Sequence, residues 1–411
     1  TLSADDRQFG GGVAREKADP RLYQCYIGAN SGRFGGGIGC IKSSPVIENC
    51  TIVGNAATIA TGGAGAGAIF AHDKSSPAIT NCRITGNYAH DWNAGTLYCQ
   101  GLSAPVLTNC TIANNSSNDG RSGGIVVNSG SMPSLTNCIL DNLSGVAVIE
   151  EGPRVGHEND ESDVFVAHGL FSNSATADFR DWHDGVVTDY TGGDAINAQV
   201  DGAVGNVAGG PDPRFVEGVS GVWTAEPVYD NGTNRTTLTT AGSPFPVTGN
   251  GLVGRAINAD TSQKREAVIM ENTADTVVVM GDVTSASGEY GYVDAGDAFL
   301  VVDYHVDGDS PCINIGDNAV VNPPEWDIEM AARIHDDAMD VVDLGAYECT
   351  APEGATLVAM AVDGEPVPVN GTVQFIITFS RPVASGLDVT DFTVFGTDGQ
   401  DTAEVISLAR R

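Results

Sequence analysis

Residues 43–55 read SSPVIENCTIVGN, and the pattern returns as SSPAITNCRITGN at 75–87, SAPVLTNCTIANN at 103–115 and SMPSLTNCILDN at 131–142. A weaker copy, ADPRLYQCYIGAN, occupies residues 18–30. In every copy a proline stands five residues before a cysteine, and successive cysteines are 25, 32, 28 and 28 residues apart. Periods of this size are typical of stacked supersecondary units.

Each unit contains short stretches in which apolar and polar residues alternate, separated by turn residues, and a small-residue strand such as GGGIGC (35–40) opens it. Alternation of this kind predicts strands with one buried face. Three strands in about 28 residues are too few to enclose a core, but stacked copies share one. The repeat therefore predicts an all-β chain whose first part is a right-handed parallel β-helix.

Parallel stacking places equivalent residues above one another at about 4.8 Å. We therefore expect one asparagine per coil to hydrogen-bond up the stack, namely Asn49, Asn81, Asn109 and Asn137. The repeat cysteines are expected to form an interior column of reduced thiols that act as small apolar fillers: Cys25, Cys50, Cys82, Cys110 and Cys138.

The unit SSPxIxNCxIxxN, preceded by GGGIxC, resembles the pectate-lyase-like β-helix repeats of large secreted or surface proteins of environmental bacteria. GLFSNSATADFRD from residue 169 and the stretch 196–218 resemble the last coils of those proteins. DSPCINIGD (309–317) and DVVDLGAYEC (340–349) resemble their closing module, SPxIDxGD followed by DIGAYE. Asn314 stands where an aspartate is usual, and IEMAARIHDDAMD (328–340) stands where a DGxxR turn is usual.

Four regions follow from these patterns. Residues 1–218 are assigned to β-helix coils, 219–302 to a small inserted β-domain, 303–350 to the closing coil, and 351–411 to a partial domain that resembles bacterial Ig-like β-sandwiches. We expect the chain to be a fragment of a longer protein. Cys312 and Cys349 stand apart from the repeat and are candidates for a disulfide.

The charge composition excludes some classes of partner. With 53 acidic and 20 basic residues, the chain has a net charge of −33, which argues against nucleic-acid binding because phosphates require Lys and Arg. No apolar run approaches the ~20 residues of a transmembrane helix. The acidic surface is explained by solubility, or by Ca²⁺ binding through carboxylates. Apart from Ca²⁺, no cofactor is expected.

One local cluster of residues could perform chemistry. His72, Asp73 and Lys74 lie in a turn between two strands, and His90, Asp91 and Trp92 follow in the same repeat. A His or Lys base with carboxylate partners could abstract a proton from a sugar, and Trp92 could stack on a sugar ring. The alternative is that exposed turns collect such residues. The remaining histidines show no metal-ligand spacing and are expected at the surface: His157, His168, His183, His305 and His335.

The sequence contains no recognisable catalytic signature, so we expect a non-catalytic extracellular or cell-surface protein that serves as a stalk, an adhesion module or a glycan-binding platform. Its expected partners are polysaccharides or neighbouring cell-surface proteins. Two alternatives remain open at this point. The resemblance to β-helix lyases implies a polysaccharide lyase or glycoside hydrolase, and the modular repeat would also suit a structural subunit of a surface layer or filament.

Overall fold

The computed structural model describes residues 10–57, 65–90, 94–152, 161–183, 186–216, 218–249, 251–287, 291–321, 326–333, 341–349, 357–362, 375–379, 394–395 and 402–403. The chain divides into two compact units, Thr1–Cys349 and Thr350–Arg411. Among the described residues, no helix has the length and apolar character needed to cross a membrane.

The solenoid is built from short strands and ends near one helix, α1 (Gly193–Gln199). In chain order its strands are β1 (Val13–Glu16), β2 (Arg21–Tyr23), β3 (Tyr26–Gly28), β4 (Ser31–Gly32), β5 (Ile38–Ile41), β6 (Val46–Glu48), β7 (Thr51–Val53), β8 (Ala56–Ala57), β9 (Ile69–His72), β10 (Ala78–Thr80), β11 (Arg83–Thr85), β12 (Tyr88–Ala89), β13 (Leu97–Gln100), β14 (Val106–Thr108), β15 (Thr111–Ala113), β16 (Ser116–Ser117), β17 (Ile125–Val127), β18 (Ser134–Thr136), β19 (Ile139–Asp141), β20 (Val146–Glu151), β21 (Phe165–Ala167), β22 (Leu170–Ser172), β23 (Ala177–His183) and β24 (Val186–Tyr190).

These strands form four sheets that run along the solenoid. The first sheet has the order β1-β5-β9-β13-β17-β20-β23-β24, the second β2-β6-β10-β14-β18-β21, the third β3-β7-β11-β15-β19-β22, and the fourth β4-β8-β12-β16. Neighbouring strands are parallel, apart from the final β23–β24 pair. Equivalent repeat positions pair directly, as Ile47, Ile79 and Leu107 do. The structure thus confirms a parallel β-helix of in-register coils.

The repeat cysteines lie in one column inside this solenoid. Cys50, Cys82, Cys110 and Cys138 are at most 1% exposed, and Cys25 packs against the start of the same core. The backbone N–H of Cys25 points at the sulfur of Cys50, and that of Cys50 at the sulfur of Cys82, each at 3.4 Å. Each coil therefore contributes one thiol to a continuous interior line.

The asparagines that precede these cysteines occupy the turn with a left-handed backbone, with φ between 51° and 56°. Asn137 donates to the side-chain oxygen of Asn109 at 3.0 Å. Asn49 and Asn81 instead donate to backbone carbonyls of the region predicted to be the closing coil (303–350), which we call the closing segment. The acceptors are Asp327 O at 2.7 Å and Trp326 O at 2.8 Å. On the coils of Asn49 and Asn81, hydrogen bonds to carbonyls of the closing segment therefore take the place of the predicted bonds between asparagine side chains.

A second asparagine series, which the sequence analysis did not single out, forms a ladder inside the solenoid. The side chains of Asn55, Asn87 and Asn115 are fully buried. Asn30 donates to Asn55, Asn55 to Asn87 and Asn87 to Asn115, at 3.0, 2.9 and 2.9 Å. Because each amide also donates to a backbone carbonyl of a neighbouring strand, this series satisfies the polar groups of a buried corner.

Residues 220–302 form a seven-stranded antiparallel sheet of order β25-β31-β28-β29-β30-β27-β26. Its strands are β25 (Ser220–Val222), β26 (Val228–Asp230), β27 (Arg235–Thr239), β28 (Ala256–Asn258), β29 (Ala267–Asn272), β30 (Thr276–Met280) and β31 (Ala298–Val302). Trp223, Phe245 and Phe299 centre its own apolar core. A small extra β-domain thus lies where the sequence predicts one, within the first compact unit.

The closing segment is fixed by a buried ion pair. Arg333 and Glu348 are 0% and 5% exposed, and their N and O atoms are 3.3 Å apart. Arg333 also donates to Gly345 O at 2.7 Å. Asp327 accepts the N–H groups of Glu348 and of Ala331. The described part of the stretch that departs from the DGxxR pattern, residues 328–333, therefore still forms a turn between Asp327 and Arg333.

Cys312 and Cys349 both contact the apolar cluster beside the closing segment, but they are not joined by a disulfide in the structure. Separate backbone bonds hold each of them, with Cys312 N–H donating to Ser310 and Cys349 N–H to Asp343. Shared packing alone does not give the specific geometry of a disulfide, and burial raises the pKa of the Cys312 thiol to about 12. The structure therefore contains two free thiols at Cys312 and Cys349 in place of the candidate disulfide.

In the second unit, β32 (Leu357–Val362) pairs with β33 (Phe375–Phe379), and β34 (Val394–Phe395) pairs with β35 (Thr402–Ala403), both antiparallel. The rest of residues 351–411 lies outside the described residues. The Ig-like domain and the bounds of the four regions stay predictions.

Candidate functional site

The first predicted cluster lies at the end of β9, where the chain leaves the first sheet. His72 is half-buried and stacks on Phe70, with ring centroids 5.8 Å apart. Burial lowers the pKa of His72. Asp73 does not contact the imidazole through a hydrogen bond but pairs with Lys42 of the preceding coil at 2.8 Å. Asp73 and Lys74 have left-handed backbones, which is consistent with a tight exposed turn.

The second predicted cluster is remote from the first. His90 follows β12 and precedes the bridge at Ala94, which pairs with Ala66, whereas His72 pairs with Gln100 at the opposite end of the same sheet. The four-residue strand Leu97–Gln100, about 13 Å long, lies between these ends. Asp91 and Trp92 lie outside the described residues. The structure therefore does not bring His72 and His90 together in one groove.

Two of the remaining histidines are partly buried among carboxylates. His305 makes contacts of 2.6 Å to Asp303 and 3.1 Å to Glu329. Burial lowers the pKa of His305, but its hydrogen bonds to Asp303 and Glu329 outweigh burial and raise the pKa to about 9. His183 lies near Glu150 and Asp181. His157 and His335 fall outside the described residues.

The third sheet cannot present an open binding face, because the inserted sheet and the closing segment cover it. All three residues of β7, β11, β15, β19 and β22 are buried. Arg83, on β11, donates to Gly254 O at 3.0 Å and to the Tyr347 hydroxyl at 3.1 Å. Glu266 accepts from Asn114 at 2.7 Å and from Tyr304 at 2.5 Å. These contacts join the outer face of the solenoid to the inserted sheet and to the closing segment.

The second sheet leaves its outer face exposed, and we call this surface the open strand face. Val46, Val106 and Phe165 stand in one register column and are 37%, 45% and 42% exposed. A neighbouring column contains a run of three threonines, Thr80, Thr108 and Thr136, which are directly paired and partly exposed. The open strand face is thus a flat array of apolar and hydroxyl side chains spaced at about 4.8 Å.

Exposed aromatic and sulfur side chains border this face at the corner between the second and third sheets, and we call them the aromatic corner: Tyr23, Trp326 and Met330. They are 41%, 43% and 41% exposed. The Tyr23 hydroxyl is 3.5 Å from the Met330 sulfur. Asn49 and Asn81 hold the segment in place through the Trp326 and Asp327 carbonyls. The closing segment therefore fixes a tryptophan over the second and third coils.

Polar groups suited to hydroxyl ligands surround the aromatic corner. Arg21 pairs with Glu48 at 2.6 Å and lies over the Tyr23 ring at 5.1 Å. Aromatic rings offer an apolar face to ligands, while Arg and Glu can exchange hydrogen bonds at its edge. Sequence reasoning could not place Trp326 here, since it is 277 residues from Asn49.

Comparison with protein families found one match: residues 21–161 match the family described as right handed beta helix region. The matched segment is about one third of the chain and corresponds to β2 through β20. Searches of curated proteins and of solved structures found no significant match.

Proposed function

Because residues 21–161 match the right handed beta helix region, we propose that this protein is a non-catalytic extracellular or cell-surface platform that binds polysaccharide through the aromatic corner and the adjoining open strand face. One observation carries the proposal. The chain covers the outer face of the third sheet but leaves the second sheet exposed. Its closing segment places Met330 against Tyr23 and holds the exposed Trp326 by its backbone carbonyl at the same corner.

The chemistry of this surface suits an uncharged or weakly charged glycan. Sugar rings present C–H faces to aromatic rings and hydroxyls to polar edges. The columns of the open strand face repeat regularly along the solenoid, so an extended chain of similar units could make similar contacts on successive coils. Tyr23 and Phe165 lie five strands apart on this sheet, about 24 Å, which is enough for several sugar units.

Substitution of Trp326 by alanine tests the proposal. After a glycan array has identified a ligand, we expect Trp326→Ala to weaken binding about tenfold, equivalent to ~1.4 kcal/mol, in the range of an aromatic contact. Calorimetry with that ligand measures the change. Trp182→Ala is the matched control, because Trp182 is 39% exposed but lies on β23, away from the corner. Equal binding by both variants would refute the assignment of the site.

A polysaccharide-degrading enzyme is the second candidate, and His72 is the observation in its favour. Its pKa is lowered by burial, which would keep the imidazole neutral and able to act as a base. However, its Nδ1 atom is buried without a hydrogen-bond partner, so no described carboxylate orients the ring. Release of reducing ends or unsaturated sugars by the native protein, abolished in His72→Ala, would establish the enzyme and displace the platform.

A further inference from the structure

The last coils of the first sheet change the chemistry of a column that is apolar from β5 to β17. Val127 pairs in register with Glu150, and Glu150 pairs with Asp181. From β5 onward the column runs Cys40, Ala71, Cys99, Val127, Glu150 and Asp181. Paired residues on adjacent strands are about 4.8 Å apart, and like charges in such positions destabilise a sheet. A cation between the two stacked carboxylates would relieve this repulsion.

His183 stands beside both carboxylates. It lies two residues after Asp181 on β23 and so points to the same side of the sheet. Its Nδ1 atom contacts Asp181, and its Nε2 atom is 3.7 Å from Glu150 Oε1. One potential ligand atom from each of the three residues lies within 4.8 Å of the others. The three side chains thus converge on one small volume.

Burial differs across the cluster in a way that leaves room for a ligand. The Glu150 side chain is 9% exposed, whereas those of Asp181 and His183 are 36% and 35% exposed. The Val164 N–H donates to Glu150 Oε2 at 3.0 Å. Glu150 Oε1 accepts no hydrogen bond from the described residues and faces the imidazole. The cluster therefore has a fixed, buried carboxylate oxygen at its base and an opening to solvent on the other side.

We propose that Glu150, Asp181 and His183 form a binding site for a divalent first-row transition-metal ion. Two carboxylates and one imidazole are ligands of the type found at zinc, manganese and iron sites. Calcium prefers six to eight oxygen ligands, so the imidazole disfavours it. Water would complete the coordination from the exposed side.

The distances require only a modest adjustment. Two ligands at about 2.1 Å from one ion in a tetrahedral site are ~3.4 Å apart. The three ligand atoms lie within 4.8 Å of one another, so side-chain movements of about 1 Å bring them to this spacing. An ion pair between a protonated His183 and the carboxylates is the competing arrangement. A protonated His183 supplies one positive charge, whereas Glu150 and Asp181 are two carboxylates and Asp163 is a third carboxylate near Glu150. A divalent ion compensates this charge more fully.

Titration with Co²⁺ tests the site. We expect the native protein to bind Co²⁺ saturably, with visible absorption bands and without the near-ultraviolet band of thiolate ligation. Zn²⁺ should displace Co²⁺, and Ca²⁺ should not. His183→Ala and Glu150→Gln are each expected to weaken binding by at least ~10-fold, as losses in metal shells commonly do. Thermal unfolding of each metal-free variant checks its fold, and Asp181→Asn replaces any variant that does not fold.

Asp163→Asn is the matched control, because it removes a neighbouring negative charge but none of the three ligand atoms. Retained Co²⁺ affinity in this control supports specific ligation. The proposal is overturned if the native protein binds no Co²⁺, if thiolate bands appear, if His183→Ala binds normally, or if Asp163→Asn weakens binding as much as Glu150→Gln does.

Discussion

Replacement of Asn87 by alanine should lower the free energy of unfolding by about 3–5 kcal/mol, because several fully buried polar groups lose their partners. Asn87 Oδ1 accepts from both the backbone N–H and the side chain of Asn55, at 3.0 and 2.9 Å. Its Nδ2 donates to Ile52 O at 3.0 Å, to Thr85 O at 3.1 Å and to Asn115 at 2.9 Å. Alanine removes all five contacts, at a position that is fully buried from bulk water.

Denaturant unfolding of the native protein and of Asn87→Ala measures this loss. Asn118→Ala provides the matched control, since Asn118 is exposed and its side chain contacts only His90 among the bonds described here. We expect the control to change the free energy by no more than ~0.5 kcal/mol. A similar small change for Asn87→Ala would show that the interior asparagine ladder does not support the coils.

Arg333→Met is expected to destabilise the protein by about 3–5 kcal/mol, since removing one member of a buried ion pair leaves the other charge uncompensated. Arg333 is fully buried and bonds both Glu348 and Gly345 O. Glu348 in turn receives the N–H of Asp343. The loss should therefore detach the closing segment from the coils before the solenoid itself unfolds.

The same unfolding experiment with Arg235→Met distinguishes the loss of a buried ion pair from the general effect of removing an arginine. Arg235 pairs with Glu271 at the surface of the inserted sheet, where both side chains are at least 36% exposed. Surface pairs contribute about 0–1 kcal/mol. Equal stability of the two variants would contradict a structural role for the Arg333–Glu348 pair.

The in-register coils could be predicted from the sequence because the same motif returns in every coil, with proline always five residues before cysteine. Parallel stacking converts the recurring motif into columns of like residues, although the cysteine spacing varies from 25 to 32 residues. The interior asparagine ladder was visible in the same way, since Asn30, Asn55, Asn87 and Asn115 recur as regularly as the cysteines. The asparagine before each cysteine recurs at the same intervals, and spacing alone does not distinguish this left-handed turn residue from the fully buried asparagine of the interior ladder.

The candidate surfaces could not be predicted, because they depend on contacts between remote segments. Trp326 reaches Asn81 across 245 residues, and Glu266 reaches Asn114 across 152. The coil between Glu150 and Asp181 lacks the repeat motif, so the shared register of the two residues could not be predicted from spacing. Local pattern thus determined the solenoid, while the packing of the insert and the closing segment determined which faces remain open.

The central claim is that successive coils stack in register around a single interior line of thiols. Crystals measured at a long wavelength would reveal the sulfur atoms directly through their anomalous scattering. We expect four peaks from Cys50, Cys82, Cys110 and Cys138 in one row, spaced at about 4.8 Å. The stacked β-helix would be contradicted if the peaks of these four cysteines were dispersed or separated by irregular distances.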